Sequence, residues 1–536
     1  MNVNRLKVLL AYASLSLILL MVAYYPALKA PSLVNPDGYV ILGQLENIEG
    51  LSQYFKMLLN FQTIDFQPLR DLTFYFDLFI MKHLSFNAII WQNILIWFLS
   101  CLVVNRIFQV VFPNVNAWTR CGLMLLFTVY PVFSTSILWG IARKHLLSFL
   151  FISLASLFLI NSESQKSNSK IFIAIFFYFL SLLAQPINIL WPIWAFVYTG
   201  KSKLKTLSLS LVIALIFGII NHLYYENSEI FKHYYNPKTG DVFNIGDRLL
   251  ALGHYVSQLF LPIDLTYMYY LGDIKELIGL LVAVVLILIC FKHKQARFLF
   301  GWGVYLALPL LIVSNKPQII SDTYLLTPAL GLFFILTCLL ERIINLKVVA
   351  SVLVSVGILS SVWLNYSYSK SWLSPIAFAQ NAFDHRQVCD TAILLARMKL
   401  DSMGKMDGPE KDYLKDYECF KSSNSNVPTD SELFIQEIRV QALVLFYGNE
   451  IPLEEKIAAL QSLGSKAVYH RMVLAALYAI NNRKEDVVNV MGAIRKEELV
   501  PGNTKEIDRV AILFLHPYCL KIKDAHCLSI TQFMIP

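Results

Sequence analysis

Three short stretches carry residue types that could do chemistry. Asn35-Pro36-Asp37-Gly38-Tyr39 presents a carboxylate on a turn. Gly140-Ile141-Ala142-Arg143-Lys144-His145 ends in three adjacent potential cations. Between them, Asp65-Phe66-Gln67-Pro68-Leu69-Arg70-Asp71 mixes acid, amide and guanidinium. A carboxylate held beside an incoming hydroxyl can take its proton, and a nearby cation can hold an anionic leaving group. Asp37 is therefore the candidate base, Arg143, Lys144 and His145 the candidate anion-binding group, and Arg70 a second candidate for that role. Each has a plain alternative: Asp37 as a turn residue in water, and the triplet as a contact to ordinary lipid headgroups. No Cys-x-x-Cys or His-Glu-x-x-His occurs, which disfavours a structural zinc site or zincin chemistry. Walker A and Gly-x-Gly-x-x-Gly patterns are missing too, which argues against an ATP- or NAD-driven reaction.

The elements that must position these groups are set by composition. Of 536 residues, 56% are hydrophobic and 15% charged, with mean hydropathy +0.55. These values argue against a water-soluble enzyme, a disordered chain or a disulfide-dense scaffold. The 45 Lys+Arg against 37 Asp+Glu give a net charge of +8. Half of all charges lie beyond Tyr368, where the signs nearly cancel, so the excess sits in the apolar part and marks cytoplasmic loops rather than a nucleic-acid surface. The expected fold class is all-α: a polytopic membrane protein.

Runs long enough to cross a bilayer as helix begin with Val8–Leu28, read as an uncleaved span with its N-terminus inside. Asn87–Val111, Trp118–Trp139, Leu146–Ile160, Ile171–Ala184, Ile187–Tyr198 and Leu207–Leu223 follow. Glu276–Phe291, Phe298–Val313, Tyr324–Leu340 and Val348–Tyr366 complete a set of about eleven, several of them short enough to be tilted, paired or broken. With Arg5 and Lys7 inside, every alternate loop is basic, through Arg106 and Arg120 to Arg342 and Lys347, and the C-terminus falls outside. The three cations at 143–145 then lie on an outer loop, against that tendency, so something must offset their cost. A lipid-linked phosphate would do so, since Arg forks onto phosphate oxygens.

The expected organisation is a transmembrane domain over 1–366, whose first outer loop, 30–86, holds interfacial helices at Leu51–Phe61 and Leu69–Leu84, and an external helical domain over 367–536. In that tail, helical spacing marks Leu433–Tyr447, Leu453–Leu463, Ala467–Ile480 and Lys484–Ile494. Glu454–Leu463 with Val468–Ala479 is the shape of a degenerate tetratricopeptide (TPR-like) hairpin, either a cap over the membrane part or a partner-binding solenoid. Cys389, Cys419, Cys519 and Cys527 allow two disulfides in three pairings, and spacing favours Cys519–Cys527. Cys101, Cys121, Cys290 and Cys338 read as packing residues in spans.

The order of motifs resembles GT-C glycosyltransferases, most nearly the tetratricopeptide-containing transmembrane O-mannosyltransferases and their bacterial relatives. Tyr130-Pro131-Val132 through Trp139-Gly140, then Arg143-Lys144 and Leu146-Leu147, is similar to a His-Pro-Val…Trp…Gly-Arg run of that group. Gln67-Pro68-Leu69 is similar to its Arg-Pro-Leu, and Asp37 falls where one or two acids follow its first span. Gln258–Leu265 with Pro262, Asp322-Thr323-Tyr324…Pro328…Gly331 and Ser371-Trp372 continue the likeness over roughly Met1–Phe383. Here the acidic pair is reduced to Asp37-Gly38, Gln67 and Thr323 stand for Arg, and His145 stands for an acid.

The resemblance implies an inverting glycosyltransferase of the bacterial inner membrane with a periplasmic C-terminal domain. The donor would be a polyprenyl-phosphate sugar and the acceptor a hydroxyl of a protein, glycan or lipid, with membrane lipid around it and no nucleic acid. Asp37 would be the base. Arg143, Lys144, His145 and Arg70 would hold the donor phosphate, and Gln67, Asp71, Tyr234, Tyr235 and Tyr324 would contact acceptor or sugar. The tyrosines of the second outer loop could equally form an interfacial aromatic belt. No cofactor is implied and no metal site is assigned, with a divalent ion left open. A transporter or a non-catalytic membrane scaffold displaying the external helices are the rival readings.

Overall fold

The computed structural model of the protein describes residues 3–30, 45, 48, 50–63, 65–81, 86–165, 167–199, 204–227, 245–263, 265–266, 276–282, 321–342, 347–385, 395, 454, 457, 468–494 and 515–528. Asp37, Tyr234, Tyr235, Cys389, Cys419 and the expected span Phe298–Val313 lie outside the described residues. Among those described, every regular element is helical. The chain divides into two units, one of Met1–Tyr235 with Asp241–Asn381, the other of Asn236–Gly240 with Ala382–Pro536.

The first unit is built from α1 (Val3–Tyr24), α2 (Leu51–Leu59), α3 (Pro68–Met81), α4 (Phe86–Val111), α5 (Ala117–Thr128), α6 (Ser134–Leu138) and α7 (Arg143–Gln165). It continues with α8 (Asn168–Ala184), α9 (Trp191–Thr199), α10 (Leu204–Asn227), α11 (Ile245–Phe260), α12 (Leu326–Arg342), α13 (Lys347–Lys370) and α14 (Pro375–His385). Among the described residues, four helical stretches are long and apolar enough to cross a bilayer: Lys7–Tyr24, Asn87–Val111, Gly140–Ser162 and Leu207–Tyr224. A bent pair, Ala117–Thr128 with Pro131–Leu138, makes a fifth if taken as one span, and Asn168–Ala184 is a shorter apolar helix. The chain is an all-α membrane protein. On α10, Leu209, Val212, Leu215, Ile216 and Ile219 are exposed, as the lipid face of a span would be.

The core is laid down by α7, which packs on α8 and α4, and by α1, which packs on α13 and α5. The bend between Ala117–Thr128 and Pro131–Leu138, 41° at 129–130, is where the bundle most needs help. Pro131 has no N–H to continue the helix, and carbonyls freed inside an apolar bundle must find donors. Trp97 Nε1 donates to the Thr128 carbonyl at 2.9 Å and Asn365 Nδ2 to the Val129 carbonyl at 2.7 Å. Asn93 Nδ2 donates to the Ile137 carbonyl at 3.0 Å. Tyr12 and Tyr24 of α1 reach the same turn, through Thr128 and Ser134. The bend is thus fixed by side chains of α1, α4 and α13, and it delivers the chain into α7 at Arg143.

Over this bundle lie α2 and α3. Tyr54 and Leu58, four apart on one face of α2, are buried with Phe74, Ile89, Ile141 and Tyr224. Phe61 ends α2 in the left-handed region (φ 55°), with its ring 4.9 Å from Tyr224. The Tyr224 hydroxyl donates to the Leu58 carbonyl at the end of α2. Tyr224, near the end of α10, is therefore an anchor for this lid.

In the second unit, α15 (Val468–Ile480) and α16 (Lys484–Gly492) pack as a helical hairpin through Asn481 and Asn482, the latter at φ 54°. The segment Glu454–Leu463, expected as the partner of Val468–Ala479, is described only at 454 and 457, so that pairing lies outside the described residues. Further on, α17 (His516–Ile522) is closed onto the next turn by a Cys519–Cys527 disulfide, the pairing that spacing favoured. Cys101 and Cys121 are buried free thiols in the first unit.

Candidate functional site

Arg70 sits on the first turn of α3 with its side chain 2% exposed. Its guanidinium forks onto Asp65, with Nη2 to Oδ1 at 2.7 Å and Nη1 to Oδ2 at 3.2 Å. Nε donates to Asp71 Oδ1 at 2.7 Å and Nη1 to Gln67 Oε1 at 2.9 Å. The Tyr54 hydroxyl of α2 closes the shell from the other side, donating to Asp71 Oδ2 at 3.2 Å. A Pro68 at the first helical position lets 65–67 turn back over the helix start, which is why residues three to five apart meet on one cation.

Lys144, at the start of α7, points to the outer edge of this knot, with Nζ 3.6 Å from Asp65 Oδ2. Their side chains are 15% and 21% exposed, the most open charged groups of the cluster. Burial works against the Asp65 carboxylate, but Arg70 and Lys144 outweigh it and hold the group below its ordinary value. Burial pushes the Asp71 carboxyl the other way; Arg70 offsets this only in part, and Asp65 adds to the rise. Burial also opposes the Arg70 charge, yet Asp65 and Asp71 raise it above its usual value. The pair of acids sharing Arg70 is thus split, Asp65 toward the ionised form and Asp71 away from it.

Arg143 occupies a second, adjacent knot. Its Nη1 pairs with Asp77 of α3, its Nη2 donates to Gln92 Oε1, and its Nε donates to Asn93 Oδ1 at 3.3 Å. Its planar head lies 4.3 Å from the centre of the Phe74 ring, and Gln92 Nε2 donates to Asp77 at 2.9 Å. His145 turns a third way, edge-on to Tyr324 at 5.3 Å between ring centres. It is 3% exposed, and its Nδ1 has no hydrogen-bond partner among the described residues.

Three successive cations on a helix start point roughly 100° apart, so they cannot form one patch. Asp65, Asp71 and Asp77 of the first loop lie at ion-pair distance from Arg70, Arg143 and Lys144. Of the residues assigned from the sequence, Gln67, Arg70, Asp71 and Lys144 converge on one centre, Arg143 lies beside it, and His145 with Tyr324 forms a neighbouring contact. Asp37, Tyr234 and Tyr235 lie outside the described residues, so their relation to this centre is not part of the geometry.

Asp65, Asp77 and Tyr54 were given no role from the sequence. A signal existed for Asp77: in a helix starting at Pro68, residues 70, 74 and 77 fall on one face. Among the described residues, no three His, Cys, Asp or Glu side chains are grouped to hold a metal ion. Compared with protein-family models, curated proteins and solved structures, the chain matches none.

Proposed function

We propose that this protein is a membrane glycosyltransferase that moves a sugar from a polyprenyl-phosphate donor to an acceptor hydroxyl on the non-cytosolic side. The observation that carries the reading is the Asp65–Arg70–Asp71–Lys144 centre, a concentrated polar site where two loop helices close over the start of an apolar span. A lipid phosphate needs a cation at the edge of the hydrocarbon, reachable from the lipid and held in place by fixed carboxylates. Lys144 meets that need. Its 3.6 Å contact to Asp65 is long for a charge-assisted bond and can be exchanged for a phosphate oxygen. Arg70 and Arg143, locked by carboxylates, hold the loop helix α3 in place behind it. Asp37 is the base in this reading: it removes the acceptor proton as the hydroxyl attacks the anomeric carbon, and the polyprenyl phosphate leaves. The remaining spans of the expected eleven form the wall for the lipid chain, and the second unit selects the acceptor from the periplasm. The Cys519–Cys527 bridge supports that placement, because such bonds persist in oxidising compartments.

The test is transfer by the full chain in lipid discs, with polyprenyl-phosphate hexoses as donor and release of polyprenyl phosphate as the readout. Lys144→Met is expected to raise the donor KM about tenfold, equivalent to about 1.4 kcal/mol. Asp37→Asn is expected to lower kcat with little change in KM. A wild-type chain that releases no polyprenyl phosphate from any hexose donor, with any envelope fraction as acceptor, overturns the reading.

A second reading is favoured by one specific observation. Arg70 and Arg143 already have carboxylate partners, which is all that a structural lock requires, and a scaffold that displays the second unit would need no more. Under it, Lys144→Met and Asp37→Asn leave the yield of modified product unchanged.

A further inference from the structure

One interruption in the bundle leaves two buried amide oxygens without a partner among the described residues. After α8 the chain runs through Gln185 in an extended conformation into a short turn at Pro186–Asn188 before α9. Pro186 has no N–H to offer the Leu182 carbonyl four residues back. Ser148 of α7 and Ser181 of α8 meet here with hydroxyls 2.9 Å apart. The Ser148 hydroxyl lies 3.1 Å from the Ser181 carbonyl and 3.2 Å from that of Gln185, and the Ser181 hydroxyl donates to the Ser148 carbonyl at 3.0 Å. The Asn188 amide donates to the two hydroxyls at 2.8 and 2.9 Å. The two hydroxyls and the Asn188 amide are therefore engaged within the group. Two amide oxygens remain, Gln185 Oε1 and Asn188 Oδ1, both shut off from solvent and both without a partner among the described residues. Asn188 is 0% and Gln185 7% exposed.

We infer that this interrupted helix holds a small monovalent cation of the sodium type, with the Gln185 and Asn188 amide oxygens among its ligands. Three features point the same way. The orphan groups are all neutral oxygens, the ligand set that a hard monovalent ion takes. They lie at the C-terminal, negative end of an α8 that stops inside the apolar bundle, where a positive charge is favoured. The surrounding hydroxyls and the Asn188 amide are fixed at 2.8–3.0 Å, so the residues that carry the two oxygens sit in a rigid frame. The site is separate from the Arg70 centre: Ser148 lies one turn along α7 from Lys144, and no step of sugar transfer is routed through it. Ion occupancy would tie α7, α8 and α9 together at the break and so hold the floor beneath Lys144.

The test uses the full chain in detergent, with melting temperature measured in NaCl, LiCl, KCl and N-methylglucamine chloride at one ionic strength. A saturable rise of several degrees is expected with NaCl and none with N-methylglucamine chloride, since an ion that binds only the folded state stabilises it in proportion to occupancy. The double variant Gln185→Met, Asn188→Leu is expected to fold and to lose the sodium response. Equal melting temperatures of the wild type in all four salts, the behaviour of a site filled by water, overturn the inference, as does an undiminished response in the double variant. Should that variant fail to fold, binding of radioactive sodium to the wild-type chain decides: about one displaceable ion per chain supports the site, and none refutes it. Neither result depends on whether the protein transfers a sugar.

Discussion

At the residue scale, the centre turns on a single guanidinium. Arg70 is buried and holds two carboxylates and one amide, so its removal strands acids that have left water without a partner. Arg70→Met is expected to cost about 3–5 kcal/mol of stability, read as a large drop in thermal midpoint, and Arg70→Lys recovers little of it because an ammonium cannot fork. The two acids are not equivalent. Asp65 is held below its ordinary value, so its contribution to stability is complete above the usual carboxylate range near pH 4 and is lost as pH falls through its depressed value. Asp71 is raised, so its contribution is complete below that range and is lost as pH rises through its elevated value. Melting curves taken between pH 3 and pH 8 are therefore expected to show Asp71→Asn as nearly neutral at pH 7 and Asp65→Asn as clearly destabilising there. A larger loss at pH 7 for Asp71→Asn than for Asp65→Asn contradicts this division of charge. Residue types and spacing announced Arg70 and Lys144, and the resemblance added Gln67 and Asp71. They did not announce Tyr54, whose hydroxyl reaches Asp71 only because α2 folds back over α3, a contact between elements that no local pattern encodes.

At the element scale, hydropathy marks where helices run and proline marks where they stop, but not what repairs the stop. Trp118–Trp139 was expected as one span; the described chain bends inside it, and the repair comes from Trp97 and Asn365, far apart in sequence. Asn365→Leu keeps the branched shape and removes the donor to the Val129 carbonyl, and is expected to cost about 1–3 kcal/mol by leaving that carbonyl unpaired. The check is thermal unfolding against an Asn365→Gln control. A second crossing depends on the absence of a side chain. A β-carbon on Gly253 of α11 would collide with the Glu276 carbonyl, and one on Gly279 with the backbone of Gly253. Gly253→Ala is therefore expected to force α11 and the helical stretch 276–282 apart, with folded yield in detergent falling several-fold. Unchanged yield and melting temperature would mean that the two do not cross so closely. The amphipathic stretches of the first loop were legible as helices from their spacing, whereas their closure over the start of α7 depends on buried ion pairs.

At the scale of the whole molecule, charge asymmetry, apolar runs and cysteine spacing made the membrane class and the Cys519–Cys527 bridge readable, because each follows from bulk solvent or chain length. The site was readable in pieces only. Its acids and cations neutralise one another across a loop and a span, and their partnership is a property of the folded chain. Treatment of intact cells with a membrane-impermeant thiol reagent is expected to label a Lys484→Cys variant, whose position is exposed in the second unit; labelling only after the membrane is opened would put the second unit on the cytosolic side. The central claim, transfer of a lipid-carried sugar, is tested most directly by mass spectrometry of envelope proteins and glycolipids from cells with the chain, without it, and with Asp37→Asn expressed at wild-type level. The account predicts one hexose-bearing product that vanishes both on deletion and in the Asp37→Asn cells; an identical set of glycosylated species in all three would contradict it.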